Sequence, residues 1–239
     1  DLGIDGSGLI CPIFKSVSDS KEKFTFAVDF GTTNTHIEYC TDQHPKPVPF
    51  NISAEEKQLV KMHMKYTSMD IKMGFEQDFI PETIGDKDLY SFPMRTVYVT
   101  KKDVEYGTAI PFCDGNIPFL YEKEKIPQWD RVITNLKWGD NNRLLELHIE
   151  TIFIMLRNKV ILNEGRLSDT KILWFYPASM TAHRVASFAR MWKGAYEKYF
   201  GPDADQNVIS ISESKAPYLH FKTSQGATPN VVTIDVGGG

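Results

Sequence analysis

Phe24-Thr25-Phe26-Ala27-Val28-Asp29-Phe30-Gly31-Thr32-Thr33-Asn34 is an apolar run that ends in a carboxylate, a glycine and three small polar residues. β-type residues resume from Thr35 to Cys40, so the stretch predicts a hairpin with its tight turn over residues 31–34. A glycine in such a turn lets the backbone approach an anion without a Cβ clash, and successive N–H groups there form an anion-binding concavity. The hydroxyls of Thr32 and Thr33 add donors, while Asp29 at the strand end suits a hydrated Mg²⁺ held through water. An ordinary hairpin turn has much the same composition. This stretch alone therefore leaves a structural turn and a phosphate hairpin both open.

Asp29-Phe30-Gly31 also spells the metal-binding motif of protein kinases, but only 28 residues precede it. A kinase needs its glycine-rich loop, strand lysine and His-Arg-Asp loop upstream, so that reading fails on context. The design instead recurs at Val231-Val232-Thr233-Ile234-Asp235-Val236-Gly237-Gly238-Gly239, where another apolar strand runs into an aspartate and glycines. A flexible glycine tail accounts for the glycines but not for the strand and aspartate before them. Two such units in one chain favour the phosphate reading.

Between the two units the periodicity changes twice. Residues 44–135 are irregular, with scattered prolines, a short strand candidate at Arg95-Thr96-Val97-Tyr98-Val99 and the mixed-charge run Glu122-Lys123-Glu124-Lys125, which reads as a solvated face. They are expected to form an inserted α+β lobe. Beyond Asp140, Leu145, Ile149, Ile152, Leu156 and Val160 share one helical face, and Gly165 is the expected stop. Lys171–Tyr176 reads as a strand closed by Pro177. A second helix follows from the N-cap candidate Thr181 through Val185, Phe188, Trp192, Tyr196 and Tyr199, its aromatic stripe reading as core. A strand at Val208-Ile209-Ser210-Ile211 comes next. Alternating strands and helices predict an α/β layer with parallel pairings.

At 239 residues with 41% hydrophobic content, the chain can bury one or two cores, and a net charge of −4 supplies no overall basic field for nucleic acid or anionic lipid. Cys11, Cys40 and Cys113 are odd in number and far apart, which suggests free thiols rather than a disulfide framework or zinc site. His36, His148 and His183 lack partners at metal or triad spacing and read as structural or surface residues. Gly3-Ile4-Asp5-Gly6-Ser7-Gly8 has no following helix and reads as a loop. With no apolar run of membrane length and no signal-peptide pattern at the start, a cytoplasmic setting without membrane contact is expected, and Asn51-Ile52-Ser53 is then a chance sequon. The chain begins without Met and ends in glycines, which suggests an excised segment whose residues 1–23 are a leader or the tail of a preceding domain.

The paired strand-Asp-glycine units resemble the phosphate-one and phosphate-two motifs of the superfamily of actin, heat-shock chaperone ATPases, and acetate and sugar kinases. The chaperone branch looks nearest. Tyr176-Pro177-Ala178-Ser179, followed by Ala182-His183-Arg184, is similar to its strand-Pro-Ala turn and following helix, and Ile211-Ser212-Glu213-Ser214-Lys215-Ala216 to its Ile-Asn-Glu-Pro-Thr-Ala segment. The resemblance implies a ribonuclease-H-like first lobe of an actin-like ATPase over residues 24–43 and 136–229, with residues 230–239 starting a second lobe. It further implies that Asp29 and Asp235 hold Mg²⁺ through water, and that Gly31, Thr32, Thr33, Asn34, Gly237, Gly238 and Gly239 surround the phosphates of ATP. Glu213 would order water near the γ-phosphate, with Asp235 as the second catalytic carboxylate. The plain alternative for Glu213 is a carboxylate favoured at a helix start, and Pro217 suits that helix only in its first turn.

Where the chaperones place a phosphate-directed lysine, the nearest counterpart, Gly107-Thr108-Ala109-Ile110-Pro111, has none. A parent protein that binds Mg²⁺-ATP between two lobes and switches conformation on hydrolysis is expected, with a protein client or partner and no nucleic acid. The 239-residue chain alone, carrying one wall of that site, is expected to be inactive. A small-molecule kinase or a noncatalytic scaffold on the same fold are the other readings.

Overall fold

Phe24, Phe26, Val28 and Phe30 are buried while Thr25, Ala27 and Asp29 between them are not, the period of two that puts four apolar side chains on one face of a strand. In the computed structural model, which describes residues 21–59, 83–85, 93–99, 132–225 and 232, this strand is β1 (Phe24–Phe30). Its antiparallel neighbour is β2 (Asn34–Thr41), with Asp29 opposite His36 and Phe30 opposite Thr35. Four short strands follow β3 (Val48–Pro49): β4 (Gln58–Leu59), β5 (Thr83–Ile84), β6 (Met94–Arg95) and β7 (Tyr98–Val99). β3 and β6 both pair with β2, at Glu38 and Tyr39 and at Asn34 and Thr35 respectively. β4 pairs with β5, and β7 with β8 (Val132–Ile133).

On the other side of β1 lie β9 (Lys171–Tyr176) and then β10 (Val208–Ser212), both running parallel to it. The order is β10-β9-β1-β2-β3, with β6 also on β2, so the fold is mixed α/β around a six-stranded mixed sheet. Two short strands of the stretch expected as an inserted α+β lobe, β3 and β6, lie in the same sheet as β1. Residues 60–82, 86–92 and 100–131 of that stretch, among them the run 122–125 and residues 107–111, lie outside the described ones. So do residues 1–20 and all of the second strand-Asp-glycine unit except Val232.

α1 (Asn142–Leu162) starts where Asn141 accepts a hydrogen bond from the Leu144 N–H at 3.1 Å, satisfying one donor of the first turn. It stops three residues before the expected Gly165. Glu164 turns left-handed at φ 56°, and the Gly165 N–H donates back to Val160 O at 2.7 Å. Gly165 is needed for a different reason, since a Cβ there would run into the Phe24 ring and Val160. α2 (Ala182–Tyr199) begins at Thr181, whose hydroxyl accepts from the Arg184 N–H, as its N-cap reading requires. A short α3 (Ala204–Asn207) leads into β10, and α4 (Ala216–Gln225) follows it. Among the described residues no helix is long and apolar enough to cross a membrane.

The core lies between the sheet and α1 with α2. Trp174 of β9 and Trp192 of α2 stack with ring centroids 5.7 Å apart and planes 2° apart, and Phe30 and Phe153 close on Trp192 at 6.4 and 5.5 Å. The aromatic stripe of α2 is core, as its spacing predicts.

His148 of α1 is fully buried with its ring 5.8 Å from that of Phe30. Desolvation pushes its pKa from 6.5 down to about 4, opposed by a hydrogen bond with the Val97 backbone. Above pH 6.5 both folded and unfolded chains carry it neutral. As pH falls from 6.5 towards 4 the unfolded state takes the proton first, so stability drops, by about 3 kcal/mol in all. Urea unfolding of the wild type and His148→Phe over that range should therefore give a shallower pH slope for the variant. Equal slopes would show that His148 contributes nothing to acid sensitivity.

Candidate functional site

β1, β9 and β10 are parallel, so their carboxyl ends open on the same side, which is where α/β sheets place ligands. Three turns meet there: residues 31–33 after β1, residues 177–180 after β9, and residues 213–215 after β10. The last of these is tied to the end of β9 by the Glu213 N–H donating to Tyr176 O at 2.8 Å.

The first turn is tight because Gly31 permits it. A Cβ at Gly31 would collide with the carbonyl oxygen of Asn34. The far side of the turn is braced by β6 and its flank, through the Thr96 N–H on Thr33 O at 2.9 Å and the buried Thr35–Thr96 hydroxyl pair at 2.8 Å. Asp29 lies on the exposed face of β1, and Thr33 and Asn34 are exposed.

A fourth segment enters this site that the sequence did not single out. The turn over residues 135–139, just ahead of α1, carries Lys137 and Trp138. Lys137 Nζ is 3.0 Å from Glu213 Oε1, although its side chain is only 4% exposed. Trp138 Nε1 donates to Thr32 Oγ1 at 2.9 Å. Arg184 of α2 holds the same turn from behind, its guanidinium donating to Lys137 O at 2.9 Å and Gly139 O at 2.7 Å. Thr32 and Glu213, far apart in sequence, are thereby both tied to the turn over residues 135–139.

Glu213 does not sit in the first turn of α4, which holds no acidic residue, so its carboxylate is committed to Lys137 rather than to a helix start. Pro217 is the second residue of α4, the position where its missing N–H costs nothing. Asp235, Gly237, Gly238 and Gly239 lie outside the described residues. Residues 107–111, which hold no lysine, lie outside the described residues, whereas the buried Lys137 stands beside Glu213.

Chemically the site offers an ammonium, a hydroxyl and a glycine turn, a donor-rich set suited to an anion, with carboxylates of Asp29 and Glu213 at its edge. Among the described residues no group of three or more His, Cys, Asp or Glu could hold a metal directly. Cys40 is half-buried and free, its thiol pushed up by burial, and His36 lies 3.4 Å from Glu38 on β2. No protein-family model matches the chain, and the curated proteins include none similar to it.

Proposed function

We propose that the chain is the ribonuclease-H-like first lobe of an actin-like ATPase and that the site binds the phosphates of Mg²⁺-ATP. The observation that carries this reading is that one turn, through Trp138 and Lys137, holds both Thr32 and Glu213 at the carboxyl ends of parallel strands. The strand order, with β1 flanked by antiparallel β2 on one side and parallel β9 on the other, supports the ribonuclease-H-like assignment.

Lys137 and the Thr32 hydroxyl would offset charge on the terminal phosphoryl group, a role that electrostatic stabilisation of phosphoryl transfer requires. Glu213, held by Lys137, would orient water for attack. Asp29, with Asp235, would hold Mg²⁺ through water, and the ion would neutralise phosphate charge; an outer-sphere mode fits a site with few carboxylates. The second wall of the site would come from a following lobe. The lysine beside Glu213 supports the catalytic reading over a noncatalytic scaffold.

Calorimetric titration of the 239-residue chain with ATP, with and without Mg²⁺, tests the reading. Weak, saturable binding near about 1 mM is expected, since one wall of the site supplies only part of the contacts. Turnover is not expected. Asp29→Asn should weaken the Mg²⁺-dependent binding about tenfold, the loss of roughly one charge-assisted contact. No binding, or affinity indifferent to both Mg²⁺ and Asp29, would sink the proposal.

A further inference from the structure

Trp138 is 40% exposed, so burial of its ring does not account for where it sits. Its position is set by polar contacts. The Trp138 and Gly139 N–H groups both donate to Asn135 O, at 3.2 and 2.8 Å, and Asn135 turns left-handed at φ 59°. Arg184 grips the carbonyls on either side of Trp138, and Lys137 is anchored on Glu213. The indole is therefore presented to the hairpin from a turn tied down at three points.

An indole N–H can only donate, whereas a threonine hydroxyl has one hydrogen and two acceptor lone pairs. In the 2.9 Å contact Thr32 must therefore be the acceptor. Its own hydrogen points away from the indole, and no hydrogen bond to a described residue employs it. The contact restricts the hydroxyl rotor and leaves Thr32 its hydrogen to donate, with one lone pair remaining. Lys137, the residue before Trp138, has three N–H donors and Glu213 as its contact.

Resting on the phosphate-site reading above, we propose that Trp138 is a positioning residue of the phosphate hairpin. By occupying one lone pair of Thr32 Oγ1 it turns the hydroxyl hydrogen away from the indole and towards an acceptor oxygen of the ligand, such as a phosphoryl oxygen. It acts through Thr32 and does not touch the ligand. Loss of the indole N–H frees the hydroxyl to rotate, which weakens the ligand contact without removing it.

The full chain titrated with Mg²⁺-tripolyphosphate provides the test, read by calorimetry and by tryptophan emission. Thr32→Val is expected to lower affinity about tenfold and Trp138→Phe about three- to tenfold, the range of one hydrogen bond. The double variant should bind no more weakly than Thr32→Val, because the indole has no role once the hydroxyl is gone. A merely structural Trp138 would give losses that multiply. In the wild type, ligand should also change the red-edge emission of the half-exposed indole, with the calorimetric midpoint, and Trp138→Phe should abolish that change. Multiplying losses, unchanged affinity in Trp138→Phe, or binding without an emission change would overturn the role of Trp138 while leaving the phosphate site standing. A wild type that binds no tripolyphosphate would overturn both.

Discussion

Lys159→Met is expected to lower the unfolding free energy by about 3–5 kcal/mol, the cost of leaving a buried carboxylate without its cation. Lys159 of α1 and Glu56 are both buried, 2.7 Å apart. Every other polar group at the pair is engaged. Lys159 Nζ also reaches Asn51 O at 3.2 Å, while Glu56 accepts from the Asn163 amide at 2.5 Å and from the Ser53 N–H at 3.0 Å. The rings of Tyr39 and Phe50 lie 5.1 and 5.8 Å from the ammonium. The pair pins residues 51–57 to α1. Removing the cation alone leaves the carboxylate desolvated with two neutral donors. Replacing both, Lys159→Met with Glu56→Leu, removes the charge and its desolvation together and should recover most of the loss. Urea midpoints of the single and double variants decide this, and a double variant no more stable than the single one would show that the pair is not acting as a buried ion pair.

Trp192→Ala should cost about as much, about 3–5 kcal/mol, through a cavity in the centre of the core. Trp192 is fully buried and touches three elements around it: β9 through Trp174, β1 through Phe30 and α1 through Phe153. Trp192→Phe should cost far less, about 1–2 kcal/mol. A phenyl ring keeps most contacts and deletes an indole N–H that has no hydrogen-bond partner among the described residues. Near-UV dichroism gives an independent readout, because the stacked Trp174–Trp192 pair should supply a signal that both variants lose. Equal destabilisation by Ala and Phe would mean that cavity size is not what sets the cost.

The sequence by itself determined the elements whose signals are local. The apolar run Phe24–Phe30, stopped by Gly31, marks a strand, and the spacing of Phe188, Trp192 and Tyr196 marks a helix face, because both signals lie in neighbouring residues. The bounds of β9 and the cap at Thr181 were legible for the same reason. The stop of α1 was not: Gly165 looked like a C-cap, yet the chain left the helix earlier, and that glycine serves the close approach of the Phe24 ring. Tertiary structure alone decided that residues 48–49 and 94–95 join the main sheet, since two-residue strands carry no period to read. It also decided the site. Thr32 was visible as a hairpin hydroxyl, but Lys137 and Trp138 gave no signal, because their partners lie 76 and 106 residues away and a lysine or tryptophan ahead of a helix looks the same wherever it points. Local periods follow from backbone geometry, whereas convergence of distant side chains depends on strand order, which only the packed sheet establishes.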